Sequence, residues 1–158
     1  GAVRLDLRDK KEMKAALKEM EKALDGAGIE PEGWLVQKMA AGGHEVIFGI
    51  SIDERFGPLL MFGLGGKYVE VFRDVRFGVA PLSVADARDM IRGVRGFELL
   101  QGVRGEAPAD IALLEETLLR LNQLVARHPR IQELDINPFL AAPGRDDCIA
   151  LDVRIRVG

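Results

Sequence analysis

Apolar and polar positions along this chain alternate with two periods, and the switches between them mark its elements. From Val3 to Leu7 the alternation is strict, which predicts a short half-buried strand. Asp9 precedes Glu12 by the spacing of a capping box, and Met13, Leu17, Met20 and Leu24 follow at helical spacing as far as Gly26. The Lys- and Glu-rich positions between them read as the solvated back of that helix. Trp34 to Met39 predicts a strand and Ala40 to Gly43 a turn. His44 to Asp53 predicts a longer strand with Val46, Phe48, Ile50 and Ile52 on one face. A hairpin at Asp53 to Gly57 leads into Pro58 to Phe62, apolar throughout and so expected to be buried on both sides.

Gly63 to Gly66 is a loop, Tyr68 to Phe72 a further strand, and a charged stretch runs on to Pro81. Ser83 and Asp86 suggest a second capping box, with Ala87, Met90 and Ile91 facing inward and Gly93 near the stop. After Pro108 a longer helix carries the stripe Ile111, Leu114, Leu118, Leu121 and Val125, and Pro129 ends it. Ile131 to Leu140 and Cys148 to Val157 close the chain as two strands. Strands and helices mix without strict alternation, which favours α+β over a doubly wound sheet.

Composition narrows the function classes. Over 158 residues, 22 Lys and Arg stand against 25 Asp and Glu, a net charge of −3 that argues against a nucleic-acid partner. No apolar run reaches the roughly 18 residues of a membrane span. The single cysteine, Cys148, excludes an internal disulfide and fits a cytoplasmic setting. The chain opens on Gly1 rather than Met and ends just after a run of strand residues, so the expectation is a piece of something larger.

Chemistry concentrates in the last hairpin. In Glu133-Leu134-Asp135-Ile136-Asn137-Pro138 the period of two puts Glu133, Asp135 and Asn137 on one face. A turn centred on Gly144-Arg145 would set Asn137 opposite Asp152 and Asp135 opposite Arg154. Asp135, Asn137 and Asp152 would then converge as hard oxygen donors of the kind Mg²⁺ accepts when nucleotide phosphates complete its shell. The plain alternative is a solvated polar face with Asp135 paired to Arg154, and a one-residue slip would part Asn137 from Asp152. Gly63-Leu64-Gly65-Gly66 lacks the Lys-Ser/Thr ending of a P-loop. His44 and His128 find no nucleophile partner, and Arg73, Asp74 and Arg76 read as an ion-pair knot.

From Trp34 onward the chain resembles the ATP-grasp domain of ADP-forming acyl-CoA synthetases, the acetyl-CoA synthetase group related to succinyl-CoA synthetase. The carrying residues are Val36-Gln37-Lys38-Met39, Gly42-Gly43-His44-Glu45-Val46-Ile47, Phe56-Gly57-Pro58 and Phe62-Gly63-Leu64-Gly65-Gly66 with Val69-Glu70. Asp74-Val75, Ala80-Pro81-Leu82, Leu99 to Gly105, Glu133 to Pro138 and Leu151-Asp152 continue it, and Gly1-Ala2-Val3-Arg4-Leu5 looks like the family's Gly-Gly-Val-Arg-Leu segment.

The resemblance implies an α+β ATP-grasp fold, N-terminally incomplete, with a mixed or antiparallel sheet and flanking helices. Residues 1–39 would form a partial first subdomain and 40–158 the second. It places ATP or ADP between the subdomains and Mg²⁺ on Asn137 and Asp152, with Asp135 as acidic neighbour. Val36, Gln37, Lys38 and Met39 fall at the hinge that holds the adenine edge, Glu45 faces the nucleotide, and Gly65 and Gly66 line the phosphate-transfer end.

The family reaction joins acyl-CoA, ADP and phosphate to carboxylic acid, CoA and ATP through an acyl phosphate and a phosphohistidine. Neither His44 nor His128 matches that histidine, so a CoA-binding or CoA-ligase domain or subunit is the implied partner, and the chain alone is expected to be inactive. Two other readings stay open: a ligand-sensing acyl-CoA-synthetase-like module of a regulatory acetyltransferase, and a non-catalytic interaction domain.

Overall fold

The computed structural model describes residues 2–40, 42–66, 74–103 and 105–158. The strand expected at Tyr68 to Phe72, the Val69-Glu70 pair, Arg73, and the motif positions Gly1 and Arg104 lie outside the described residues, as does Ala41. The chain divides into two compact units, Gly1–Ala41 and Gly42–Gly158.

The first unit is built on one helix, α1 (Lys10–Gly26). Asp9 caps it, its carboxylate accepting from the N–H groups of Lys11 (2.7 Å) and Glu12 (2.8 Å). Glu12 reaches back to the N–H of Arg8 (2.8 Å), one residue earlier than the usual reciprocal bond of a capping box. Gly26 lies inside the helix; the chain leaves it at Gly28 (φ +69°), with the Ile29 N–H returning to the Leu24 carbonyl (2.9 Å). Ala16 is buried, and Met13, Leu17, Met20 and Leu24 are half-buried along one stripe. The strands expected at Val3 to Leu7 and Trp34 to Met39 do not form. Alternation alone does not hold an extended segment; it needs a neighbour's hydrogen-bond ladder, and among the described residues this unit holds no other strand to supply one.

The second unit is a six-stranded sheet with helices on one face. In chain order it comprises β1 (His44–Asp53), β2 (Gly57–Leu64), β3 (Val75–Val79), α2 (Val84–Arg92) and the single turn α3 (Phe97–Leu100). There follow α4 (Ile111–Arg127), β4 (Ile131–Ala141), β5 (Ile149–Ala150) and β6 (Val153–Val157). The sheet runs β3-β2-β1-β4-β5, with β6 also on β4, and the pairings are antiparallel.

Local chemistry explains these elements. The β1–β2 turn is pinned by the Asp53 carboxylate, which accepts from the N–H groups of Arg55 (2.8 Å) and Phe56 (2.9 Å), while Gly57 supplies φ +75°. Helix α2 carries the full Ser83/Asp86 capping box and ends at Gly93. Helix α4 starts from an Asp110 cap bonded to the Leu113 N–H (2.9 Å) and ends at His128. Its Leu114, Leu118, Leu121 and Val125 are buried against Val46, Phe48, Ile50, Leu134 and Ile136 of the sheet. On β2 only Leu60, Phe62, Gly63 and Leu64 are buried, whereas Pro58, Leu59 and Met61 are half-buried. Among the described residues of this unit helices cover one face only, and the expectation of burial on both sides fails at Pro58, Leu59 and Met61.

Two elements differ from the sequence reading in kind. Val75–Val79 is a strand, and the last strand is broken at Leu151–Asp152. Among the described residues Asp74 forms no ion pair: it is buried and accepts from the N–H groups of Arg95 and Gly96, both at 2.8 Å. Arg76 instead donates from Nε to the Gly93 carbonyl (2.6 Å).

Candidate functional site

The face of the sheet away from α2 and α4 carries Glu45, Gly49 and Ser51 of β1 and Glu133, Asp135 and Asn137 of β4; beyond the register shift between Val46 and Phe48 the parity of β4 switches, and Phe139 and Ala141 turn to the helix side. Register places them. Phe139 pairs with Ala150 and Leu140 with Ile149. Ile136 pairs with Val153, Asp135 with Arg154 and Glu133 with Arg156. This is the register expected from a turn centred on Gly144-Arg145, although a turn of 3₁₀ helix at Arg145–Asp147 builds the connection rather than a two-residue loop.

Where the outer strand breaks, the Asn137 N–H donates to the Asp152 carbonyl (3.0 Å) and the Leu151 N–H to the Pro138 carbonyl (3.0 Å). Pro138 brings no N–H of its own to the ladder. Asn137 and Asp152 are thus neighbours through the backbone, both are exposed, and the Asp152 carboxylate meets Arg154, whose register partner is Asp135.

Asp135 sits two residues further along, past the Ile136–Val153 pair, and is half-buried. Desolvation pushes its carboxyl above the usual Asp range; the neighbouring carboxylates of Asp152 and Glu133 act in the same direction, and the Arg154 guanidinium opposes them. A carboxylate held up in this way destabilises the native state once ionised. The sign follows from linkage: the folded protein takes up this proton before the unfolded chain does, so stability gains as pH falls through the raised value and levels off below the unfolded one. Asp135→Asn is expected to unfold at higher denaturant than the wild type at neutral pH in chelator. The gap should close as the pH is lowered, and urea midpoints across pH measure it.

On β1, Glu45 pairs with Leu140 and Gly49 with Asp135, so Asn137 falls between these two rungs. The Glu45 carbonyl accepts from the Gly65 N–H (2.7 Å). A Cβ on Gly65 would lie 2.8 Å from the Glu45 carbonyl carbon, and one on Gly66 (φ +61°) would run into the Glu45 carboxylate. Gly65 needs glycine because the Glu45 backbone lies against it, and Gly66 because of its positive φ. Glu45, Gly65 and Gly66 thus come together, as do Asp135, Asn137 and Asp152.

Val36, Gln37, Lys38 and Met39 belong to the first unit, in an exposed segment without strand structure. His44 bonds through Nε2 to the Ala107 carbonyl (2.9 Å) and His128 closes α4. Among the described residues no three His, Cys, Asp or Glu side chains cluster closely enough to hold a metal. The candidate set is instead two carboxylates with an amide, hard oxygens suited to Mg²⁺.

The sequence reading missed the floor beside this set. A hollow of about 440 Å³ on the open face is lined by Gly49, Ser51, Met61, Phe77, Asp135 and Arg154, among others. The alternation in Val153 to Val157 was the available signal, since it turns Arg154 and Arg156 to the face that carries Asp135.

The hollow, the carboxylate–amide rung and the glycine turn against Glu45 all lie on one antiparallel sheet. The ATP-grasp domain family matches residues 1–157, and the chain belongs to it. Within that family it is similar to the ADP-forming CoA ligases. It is 43% identical over 157 residues to a 4-hydroxybutyrate–CoA ligase (ADP-forming) of Nitrosopumilus maritimus, covering 98% of this chain and 22% of that protein. It is 36% identical to the beta subunit of an acetate–CoA ligase (ADP-forming) I of Pyrococcus furiosus, covering 98% of this chain and 67% of that subunit. A Candidatus Korarchaeum cryptofilum dinucleotide-forming acetyl-coenzyme A synthetase, solved with coenzyme A and Ca-AMPCP, superimposes with a TM-score of 0.84 at 40% identity. That superposition covers 98% of this chain and 68% of the synthetase chain. The chain thus spans from about a fifth to two-thirds of these relatives. Among the described residues no helix is long and apolar enough to cross a membrane.

Proposed function

We propose that this chain is the metal-nucleotide part of an ADP-forming CoA ligase, in which Asn137 and Asp152 hold Mg²⁺ with Asp135 beside them. The observation that carries this reading is the Asn137–Asp152 juxtaposition on the open sheet face, in a family member whose relatives are ADP-forming CoA ligases. One solved relative carries coenzyme A and Mg-AMPPCP, with a phosphohistidine segment pointing towards its nucleotide binding site. Residues 1–39 would be a partial first ATP-grasp subdomain and 40–158 the second. Val36, Gln37, Lys38 and Met39 would meet the base, Glu45 would face the nucleotide, and Gly65 and Gly66 would lie at the phosphates.

The donor set fits the ion, because hard oxygens on one face leave the remaining positions to water and phosphate. Bound there, Mg²⁺ offsets charge on the phosphate oxygens during phosphoryl transfer. The chain's own groups fix the site: the β4 ladder sets the spacing of Asn137 and Asp152, and Glu45 braces the glycine turn. The whole reaction would be acyl-CoA + ADP + phosphate ⇌ carboxylic acid + CoA + ATP, in the cytoplasm. A CoA-binding domain or subunit would supply the phosphohistidine, so the chain alone would not turn over.

The test is calorimetric titration with ADP in Mg²⁺ and in chelator. Binding is expected to need Mg²⁺ and to weaken more than about tenfold in Asn137→Ala/Asp152→Ala, since even outer-shell losses at metal sites cost that much. Undiminished binding in the double variant would overturn the assignment.

A further inference from the structure

The β4–β6 ladder carries a rung of unlike behaviour. Glu133 and Arg156 pair straight across, Arg156 Nε donating to Glu133 Oε2 at 3.2 Å. Arg154 stands opposite Asp135 in the same register, yet its Nη2 donates along its own strand to Asp152 Oδ2, also at 3.2 Å. Residues two apart on a strand are about 6.5 Å apart at Cα, so the side chain is extended toward the metal-ligand candidate rather than across its rung. Its side chain is 80% exposed and that of Asp152 51%. No packing holds the guanidinium there; charge does.

We propose that Arg154 is an exchangeable cation of this site. In the free protein it holds the Asp152 carboxylate; when the metal-nucleotide complex binds, it yields that carboxylate and takes a phosphate oxygen. This rests on the nucleotide reading above and adds to it a residue that touches the substrate. Two cations on one carboxylate oxygen repel each other, so the guanidinium and the metal compete for Asp152. A guanidinium displaced by an ion that arrives with phosphates finds a partner its planar fork matches, and its weak hydration makes the exchange inexpensive. The hollow lined by Asp135, Arg154 and Phe77 gives it room to swing within the open face. Arg156, closed on Glu133, has no such part.

The competition predicts effects of opposite sign. In Arg154→Gln, Mn²⁺ alone, read by the EPR signal of the free ion, is expected to bind about threefold to fivefold more tightly, the worth of an exposed ion pair. Mg-ADP, read by calorimetry, is expected to bind about tenfold more weakly, the worth of a bond to a charged group. Arg154→Lys, which keeps the charge and loses the fork, should return Mn²⁺ binding to the wild-type level and restore Mg-ADP only in part. Shifts of both ligands in the same direction, or no shift of either while the wild type binds Mg-ADP, would overturn the exchange. A wild type whose Mg-ADP binding is absent or indifferent to Asn137 and Asp152 would overturn the nucleotide reading itself.

Discussion

Phe48→Ala is expected to lower the unfolding free energy by about 3–5 kcal/mol, the range for deleting a fully buried aromatic ring. Phe48 is wholly inaccessible at the middle of β1. Its ring lies 5.3 Å from that of Phe62 on β2 and 5.4 Å, edge-on, from that of Phe139 on β4. It therefore joins three adjacent strands beneath α4, and the edge-on geometry adds to the area term. Neighbours on both sides are fixed in ladders and cannot collapse into the space left behind. Phe48→Leu, which keeps much of the volume, should cost less than half as much. Urea unfolding followed by far-ultraviolet circular dichroism measures both, and a loss under about 1 kcal/mol for alanine would show that the cluster does not anchor the sheet.

Asp74→Ala is expected to cost about 2–4 kcal/mol, by leaving two backbone donors short of an acceptor. The carboxylate is 7% exposed, with one oxygen on the Arg95 N–H and the other on the Gly96 N–H. It fixes the turn between α2 and α3 to the start of β3, where the Leu64 N–H also points at its carbonyl (3.4 Å). Asp74→Asn keeps one accepting oxygen and turns a donor toward the other N–H, so an intermediate loss is expected. Equal losses in the two variants would mean that the charge rather than the geometry matters. The same urea titration decides it.

Asp74 also illustrates where the sequence misleads. Among arginines it reads as a surface charge cluster, because burial of a carboxylate by two distant N–H groups leaves no periodic trace. The neighbouring β3 hides for a different reason: Val75-Arg76-Phe77-Gly78-Val79 carries an arginine and a glycine and alternates too briefly. Where alternation is long it was legible to the residue, as in His44–Asp53. The capping box at Ser83 and the stripe of α4 were equally plain, since each is a local chemical requirement. The opposite error occurred at Val3 to Leu7 and Trp34 to Met39, where a strand-like pattern meets no ladder.

The ladder of the candidate site could be read in advance because register follows from the centre of a turn, even when the turn itself is built differently. The break at Leu151–Asp152 could not, because a proline on the opposite strand causes an irregularity that the outer strand's own residues do not announce. The diagonal reach of Arg154 was hidden too. Periodicity gives the face a side chain leaves from, and says nothing of which neighbour it chooses.

The one-sided cover of the sheet has a consequence for descent. Val46, Phe48, Ile50, Leu134 and Ile136 hold the helices, while Glu45, Asn137 and Asp152 are exposed on the other face. Losses on the open side remove chemistry without opening the core, so a lineage that stops using its nucleotide is under no pressure from folding to keep those groups, and none to discard the scaffold. Descendants silent in catalysis would persist as intact proteins. On the metal–nucleotide reading proposed above, whether a relative still carries the acidic rung would speak to its present use, and the preserved fold only to its ancestry.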